Sequence, residues 1–407
     1  MSERDDRVLI DQMLQDAMRK RLPRRSVLQG AGVGVAGISL ASLLAACGGG
    51  DGGGGGDGGG GTDPAEVFGG EPGPQVNFAN WPLYIDEESP TTLEDFTKQT
   101  GITINYFDEI NDNAEYFAKV QGPLAQGNGI DRDIFVFTDN SRFPGLLVNE
   151  GWVQKLDKEL IPNISNLVDA QASPPFDPSR EYSLPWQSGM TGIAWNEDVT
   201  GPVTSVQQLL EDPKLKGKVT MLQELADSVG LVMLQAGDDP TAVTDETFNK
   251  AIATVQAAVD SGQIRRFTGN DYAQQLTKGD LAAAVAWSGD VVQLLADNPK
   301  LKWAIPESGG MIWTDNMLIP AGGSVPTAST YMNFVYDPVI AARIAAYVTY
   351  VTPVKGAQEE LAKTDPETAN NPLIFPDDAT LSQVNQFDST ALDKEEYITA
   401  WQGVLGQ

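Results

Sequence analysis

The sequence has 407 residues, of which 56 are acidic and 27 basic, giving a formal net charge of −29. It contains no histidine and one cysteine, Cys47, which excludes cysteine/histidine zinc sites, histidine-dependent nucleophilic catalysis and stabilising disulfides. Its acidity argues against nucleic acid as a partner. Phosphate-loop, dinucleotide-binding and nucleophile-elbow motifs are missing from the sequence, so an enzyme would have to work with carboxylates, lysines or tyrosines.

The first 46 residues have the pattern of an export signal. A polar segment ends in a pair of arginines, and residues 26–46 are uncharged and largely apolar or small. Leu-Ala-Ala then precedes Cys47, which resembles the lipobox in which the cysteine is acylated and becomes the first mature residue. The arginine pair resembles a twin-arginine signal, although Val27 stands where that pattern usually has phenylalanine. A membrane span is the alternative, which the glycine content of the segment disfavours.

Residues 47–72 are predicted to be a flexible linker between the acylated cysteine and a folded domain. Glycine fills most of positions 48–61, and a chain of that composition spans about 20 Å on average. Residues 1–46 hold seven basic and five acidic side chains, so their removal leaves 20 bases, 51 acids and a net charge of −31. Such a surface attracts cations, but acids also serve solubility, and composition alone therefore names no ligand.

From residue 73 onwards, strand-like and helical segments alternate along the chain. Alternation of this kind predicts an α/β fold with a largely parallel sheet, and a remainder of about 330 residues predicts two lobes. The predicted order begins with strand 75–78, helix 90–99, strand 103–107, helix 114–124, strand 133–137 and helix 143–150. The same alternation returns over residues 219–234, 245–261 and 281–287.

Residues 108–115 are rich in oxygen-bearing side chains, which raises the question of a calcium site. The turn glycine and the ligand spacing of a calcium loop are missing there. The segment is therefore predicted to be the loop before a helix, and no metal site or cofactor is expected.

Five short motifs occur in an order that resembles the spermidine/putrescine-binding periplasmic proteins. They are NWPLYI at 80–85, GKVT at 217–220, WSGD at 287–290, WTD at 313–315 and YVTP at 350–353. The similarity extends over nearly all of residues 74–407. It implies a type 2 periplasmic binding protein fold, in which two α/β lobes joined by crossing strands close on the ligand like a hinge.

The resemblance also implies where the lobes and the hinge lie. Residues 73–185 and 314–352 would form lobe 1, and residues 186–313 and 353–407 would form lobe 2. The lobes would close on the ligand because each lobe alone supplies only part of the binding site, and they would move about strands near 184–189 and 312–317.

These motifs suit a polyamine on chemical grounds as well. A polyamine is an aliphatic rod whose amines, with a pKa of about 10, are protonated at neutral pH. Its ends need carboxylates, and its methylenes need flat apolar faces. Two or three desolvated ion pairs together with aromatic burial can supply the roughly 8 kcal/mol of micromolar affinity.

In the first lobe, the resemblance assigns three ligand-contacting residues. Trp81 would cover the methylenes, and Tyr84 would offer its hydroxyl to an amine. Pro82 replaces a hydroxyl residue of the family, which removes one polar contact. Thr138 lies at the end of a predicted strand and completes this set.

An acidic pair, Glu224 and Asp227, is assigned to the second lobe. Their spacing on a helical turn puts both carboxylates on one face, suited to one terminal amine. Asp227 is followed by a serine and an apolar run, which is also the pattern of a helix N-cap. Both interpretations of Asp227 stay open at this point.

Trp287 and Asp290 follow an alanine/valine-rich strand, and the ends of such strands are where α/β proteins bind ligands. Trp313 and Asp315 stand two apart in a predicted strand and so share a face. The resemblance assigns all four, together with Tyr350, to the ligand. It also implies a distal glutamine, either Gln383 or Gln386.

The hypothesis from the sequence is a lipid-anchored, extracytoplasmic substrate-binding protein of an ABC importer. It would lie in the periplasm or on the outer face of the cell membrane, act as a monomer and deliver spermidine or putrescine to a permease. One alternative is a binding protein for a sugar, thiamine or iron, although iron sites of this fold rely on tyrosines or histidine. The other is a glycoside hydrolase, which would need two carboxylates at a set separation across a sugar.

Overall fold

The structure is a computed structural model, and it describes residues 70–295 and 297–406. The predicted export signal, Cys47 and nearly all of the predicted linker lie outside the described residues. Within the part that is described, no helix has the length and apolarity needed to cross a bilayer.

The described residues form eleven strands that belong to one sheet. In chain order the strands are β1 (Gln75–Asn80), β2 (Thr103–Asp108), β3 (Ile134–Thr138), β4 (Val153–Gln154), β5 (Ser183–Asn196), β6 (Val219–Leu222), β7 (Ile264–Thr268), β8 (Ala283–Trp287), β9 (Leu301–Ala304), β10 (Gly310–Pro320) and β11 (Val384–Asn385). Short 3-10 helices lie at Lys158–Leu160, Pro162–Asn166, Asp169–Gln171, Pro213–Leu215 and Ala391–Asp393.

The α-helices of the same residues pack around this sheet. They are α1 (Thr92–Thr100), α2 (Asn113–Ala125), α3 (Phe143–Asn149), α4 (Val206–Glu211), α5 (Leu225–Gln235), α6 (Asp245–Asp260), α7 (Tyr272–Lys278), α8 (Ser288–Leu294), α9 (Val325–Val335), α10 (Pro338–Val348), α11 (Ala357–Ala362), α12 (Pro366–Ala369), α13 (Asp378–Leu381) and α14 (Glu395–Leu405).

The first six predicted elements are confirmed, each within two residues at either end. Helix α1 shows why local sequence sufficed. The side chains of Thr91 and Glu94 form a reciprocal capping box at its start, and Gly101 ends it with a φ of 76°, a left-handed conformation that glycine adopts without strain. The oxygen-rich segment 108–115 likewise leads into a helix as predicted, since Asp112 caps α2.

The sheet is mixed, so the prediction of a largely parallel sheet is wrong for its middle. Its order is β2-β1-β3-β10-β5-β8-β6-β7, with β4 and β11 beside β10 and β9 beside β5. The outer strands pair in parallel, β1 with β2 and β3, and β6 with β7 and β8. In the middle, β10 pairs antiparallel with β3 and β5, and β5 antiparallel with β8, because these two long strands run in opposite directions between the outer groups.

Strands β5 and β10 connect the two halves of the sheet. We call β1–β3 with their helices the first half and β6–β8 with theirs the second half. The 14 residues of β5 are buried throughout, as are β3 and β8, a pattern typical of strands covered on both faces. The predicted hinge segments, 184–189 and 312–317, lie in β5 and β10 and pair with each other.

Candidate ligand-binding site

A cavity that is partly open to solvent lies between the two halves, with about 330 Å³ of space not occupied by protein atoms. The carboxyl ends of the parallel strands face each other here: Thr138 ends β3, Trp287 ends β8, and Glu224 follows β6. Strand ends of this kind are the usual ligand-binding edge of α/β folds. All ten residues assigned from the sequence line the cavity, namely Trp81, Tyr84, Thr138, Glu224, Asp227, Trp287, Asp290, Trp313, Asp315 and Tyr350.

Asp315 is held by two hydroxyl groups from the first half. Thr138 donates to its Oδ1 at 2.7 Å, and Tyr84 donates to its Oδ2 at 2.8 Å. Burial raises the pKa of Asp315 to about 7, although both hydrogen bonds act in the opposite direction. Because the Tyr84 proton is committed to Asp315, the Tyr84 hydroxyl offers a ligand an acceptor lone pair in this arrangement and serves to hold the carboxylate.

Asp290, in the first turn of α8, accepts three hydrogen bonds. Tyr350 donates to Oδ1 at 2.7 Å, while Tyr272 and Asn270 donate to Oδ2 at 2.8 and 2.7 Å. Burial raises the pKa of Asp290 to about 6, again against the effect of its donors. The carboxylate is therefore fixed in orientation, although no cation among the described residues pairs with it.

Asp227 is a buried residue of α5 and not its N-cap. The N-cap position belongs to Glu224, and Asp227 lies in the first turn. Thr191 and Asn140 donate to its Oδ1 at 2.8 and 3.2 Å, and the indole of Trp287 donates to Oδ2 at 3.1 Å. Burial raises the pKa of Asp227 to about 6. The N-cap interpretation is therefore wrong, since the side chain bonds to groups from other elements.

Glu224 forms a direct contact between the two halves. Its Oε1 accepts hydrogen bonds from the backbone N and the Nδ2 of Asn113, at 3.0 and 2.7 Å. Burial raises the pKa of Glu224 well above its usual range, and the nearby charge of Asp112 raises it further. Asn113 also donates to Thr138 at 2.9 Å, so it joins the acidic groups of both halves.

Aromatic rings that contact one another form a continuous wall in the same cavity as these carboxylates. The ring centroid of Trp287 lies 5.7 Å from that of Trp81 and 6.1 Å from that of Trp313, and both pairs are edge-to-face. Tyr350 lies 5.7 Å from Trp313 and 4.9 Å from Tyr84. The spacing is that of favourable aromatic pairs, and the wall supplies the flat apolar surface that an aliphatic chain can cover.

The cavity is strongly acidic. Four carboxyl groups line it, and none of the described lining residues is a lysine or arginine. Burial raises the pKa values of Asp227, Asp290 and Asp315 despite their hydrogen bonds, and no positively charged side chain in the described lining offsets this effect. A bound cation would offset it, whereas an anion would be repelled.

Sequence reasoning missed part of this arrangement. Asn113, Asn140 and Asn270 also line the cavity, and Tyr272 supports Asp290 from behind it. Asn113 falls in the oxygen-rich segment 108–115, and Asn140 stands two residues after Thr138. Their positions near these features were the signal in the sequence that could have identified them as site residues. The expectation of a distal glutamine is wrong, because neither Gln383 nor Gln386 lines the cavity and Gln383 instead bonds to the carbonyl of Ala379.

Solved structures match this fold over most of the chain. The spermidine/putrescine ABC transporter substrate-binding protein PotD from Streptococcus pneumoniae matches with a TM-score of 0.65 and 22% identity, covering 82% of this chain and 98% of that one. The A. tumefaciens binding protein AgtB, in complex with agropinic acid, matches with a TM-score of 0.66 and 15% identity, covering 82% and 99%. The protein thus has the type 2 periplasmic binding protein fold that was expected from its sequence.

Sequence comparison then gives the family. A model of the bacterial extracellular solute-binding protein family matches residues 91–376, and the chain belongs to that family. It is 26% identical over 327 residues to the spermidine/putrescine-binding periplasmic protein of Salmonella typhimurium, covering 79% of this chain and 89% of that protein. The family consists of solute-binding proteins and not of enzymes.

Proposed function

We propose that this protein captures a polyamine, spermidine or putrescine, outside the cytoplasm and delivers it to the permease of an ABC importer. The observation that carries the proposal is the set of four buried carboxyl groups in one cavity that is also lined by aromatic rings. An aliphatic chain with an ammonium group at each end matches that combination of negative charge and flat apolar surface. The names of the relatives, which are spermidine- or putrescine-binding, support the same ligand class.

Binding would work by compensating charge. Asp315 lies in the connecting strand β10, paired with Thr138 of the first half, while Asp227 and Asp290 lie in the second half. A diammonium ligand that spans the cavity would therefore bond to carboxylates on both sides. Each ammonium replaces the unfavourable isolation of a buried carboxylate with a charge-assisted hydrogen bond. The energy of bridging the halves would then favour a closed arrangement of two lobes, 73–185 with 314–352 and 186–313 with 353–407, moving about β5 and β10 as a monomer.

The acidity of the cavity supports a cationic ligand over solutes that carry carboxylates. AgtB shows that the same fold is compatible with such a ligand, agropinic acid, so the fold alone does not name the solute. Here the lining contributes four acidic side chains, and an anion would meet repulsion from each of them.

The ligand class is tested by thermal unfolding of the purified protein against polyamines, sugars, amino acids and thiamine. We expect putrescine or spermidine at 100 times its Kd to stabilise the protein by about 2.7 kcal/mol. The other solutes should leave the unfolding temperature unchanged. Stabilisation by a sugar and by none of the polyamines would contradict the proposal.

The same samples test the closing movement by small-angle scattering. The radius of gyration should fall when a polyamine saturates the protein, because the two lobes approach each other. An unchanged radius at saturation would show that the protein binds without the proposed hinge.

We further propose that the mature protein is anchored to the membrane by lipid on Cys47, after removal of residues 1–46 by either the twin-arginine or the general secretory route. The support is the apolar run that ends in Leu-Ala-Ala-Cys. Replacing Cys47 by alanine should release the protein from the membrane fraction and abolish the lipid mass on the intact protein. Retention of the Cys47→Ala variant in washed membranes would argue for a spanning segment instead.

A further inference from the structure

Two asparagine side chains in the cavity have an unpaired acceptor. Asn140 donates through Nδ2 to Asp227 at 3.2 Å, and Asn270 donates through Nδ2 to Asp290 at 2.7 Å. The Oδ1 atom of each is buried and accepts no hydrogen bond from the described protein. Both residues line the cavity. Buried acceptors are normally paired, so these two atoms call for an explanation.

The carboxylates fix the orientation of both amides. An amide could be turned so that its oxygen and nitrogen change places, but the oxygen would then face the oxygen of Asp227 or Asp290, and acceptors do not bond to each other. The amide nitrogen must therefore point to the carboxylate. Each of these carboxylates therefore has a buried amide acceptor close by, on a residue that also lines the cavity: Asn140 beside Asp227, and Asn270 beside Asp290.

The charge and the aromatic rings of the cavity do not by themselves distinguish between kinds of cation. A quaternary ammonium group is attracted to carboxylates and to tryptophan faces, and aromatic cages for such groups are a familiar arrangement. A primary ammonium group has three N–H donors, whereas a quaternary group has none. The amide oxygens are neutral acceptors, so they stabilise a ligand that donates hydrogen bonds without adding negative charge to the cavity.

We propose that Asn140 and Asn270 are specificity-determining residues that select cations bearing N–H groups and reject quaternary ammonium compounds. The inference rests on the proposed function and refines it, since it assigns a chemical requirement to the ends of the ligand. A quaternary group would leave both amide oxygens buried and unpaired. Each such loss weakens binding by about ten-fold or more, so two together give about 100-fold.

Calorimetric titration of the wild-type protein is the first test. The probes are putrescine and its hexamethylated counterpart, in which both ends are trimethylammonium groups with the same charge and the same four-carbon chain. We expect putrescine to bind at least about 100-fold more tightly. A ratio below about ten-fold would overturn the inference without variants being needed.

Leucine substitutions separate hydrogen bonding from size. Leucine resembles asparagine in shape, so Asn140→Leu and Asn270→Leu, alone and combined, remove the acceptors but retain the bulk. The variants should bind putrescine more weakly, and the ratio of the two affinities should fall by about ten-fold for each substitution. If the asparagines only positioned Asp227 and Asp290, both ligands would weaken equally and the ratio would stay at its wild-type value.

A matched substitution and a folding control complete the experiment. Asn249→Leu lies on the exposed side of α6, away from the cavity, and should leave both affinities unchanged. Thermal unfolding identifies any variant that fails to fold. If a variant does not fold, the other single variant and the wild-type ratio still test the inference, since a wild-type ratio below about ten-fold overturns it. A ratio that persists in the folded double variant would overturn the inference. Size alone would then exclude the methylated ligand, and any equal weakening of both ligands would reflect the positioning of the carboxylates. Absence of putrescine binding to the wild-type protein would instead refute the polyamine function itself.

Discussion

Replacing Asp290 or Asp315 by asparagine is expected to weaken polyamine binding by about 2 to 5 kcal/mol, the range for removing one partner of a buried charge pair. Both carboxylates are buried in the cavity, and each is held by hydroxyl donors that fix its direction. Asparagine retains the shape but loses the charge that compensates an ammonium. Calorimetric titration of Asp290→Asn and Asp315→Asn with putrescine and spermidine measures the effect.

The same substitutions should have a favourable effect on the stability of the ligand-free protein, in contrast to their effect on binding. The pKa of Asp315 is raised to about 7 and that of Asp290 to about 6, against about 3.9 in an unfolded chain. Between about pH 4 and pH 7 the native state therefore binds more protons than the unfolded state, so these groups lower the free energy of unfolding as pH rises. The asparagine variants should lose less stability from pH 5 to pH 8 than the wild type does.

Polyamine affinity should increase with pH, whereas the stability of the ligand-free protein should decrease. Below about pH 6 the carboxyl groups are increasingly protonated, so a bound cation must displace protons, and binding should tighten as pH rises from 5 to 8. Asp260→Asn, an exposed substitution at the end of α6, is the matched control and should change neither property. Affinity close to that of wild type in both site variants would show that the site has been misassigned.

Replacing Gly289 by alanine is expected to remove most of the ligand affinity, about 100-fold or more, through a steric effect on Tyr350. A Cβ atom at Gly289 would overlap the Tyr350 ring, so the ring would have to move. Movement of Tyr350 would break its 2.7 Å hydrogen bond to Asp290 and open the aromatic wall beside Trp313. Overpacking of this kind also costs about 1 to 3 kcal/mol of stability.

Gly403→Ala is the matched control for this substitution. Gly403 is an exposed residue in the interior of α14, and a Cβ there would have no neighbour within 4 Å. Alanine should raise the free energy of unfolding by roughly 0.5 to 1 kcal/mol, because glycine is a poor helix former, and leave binding unchanged. Titration and thermal unfolding of both variants test the pair. Retention of affinity within three-fold in Gly289→Ala would contradict the steric role of this glycine.

The sequence by itself determined those features whose signals are local. The first strands and helices follow from alternation of apolar residues and from caps such as Thr91 with Glu94, whose partners lie three residues apart. The resemblance of short motifs such as WTD and WSGD located the acidic and aromatic residues that line the cavity. Residue type and spacing carry this information because it does not depend on distant parts of the chain.

Only the tertiary structure decided how these residues act together. Tyr84 and Asp315 are 231 positions apart, and Asn113 and Glu224 are 111 apart, yet each pair is joined by a hydrogen bond. The raised pKa values likewise follow from burial, which depends on how two halves of the sheet meet. The antiparallel pairing in the middle of the sheet was also decided only by the tertiary structure, since strand direction follows from the path of the whole chain. Long-range pairing and burial are properties of the assembled fold, and local residue patterns do not encode them.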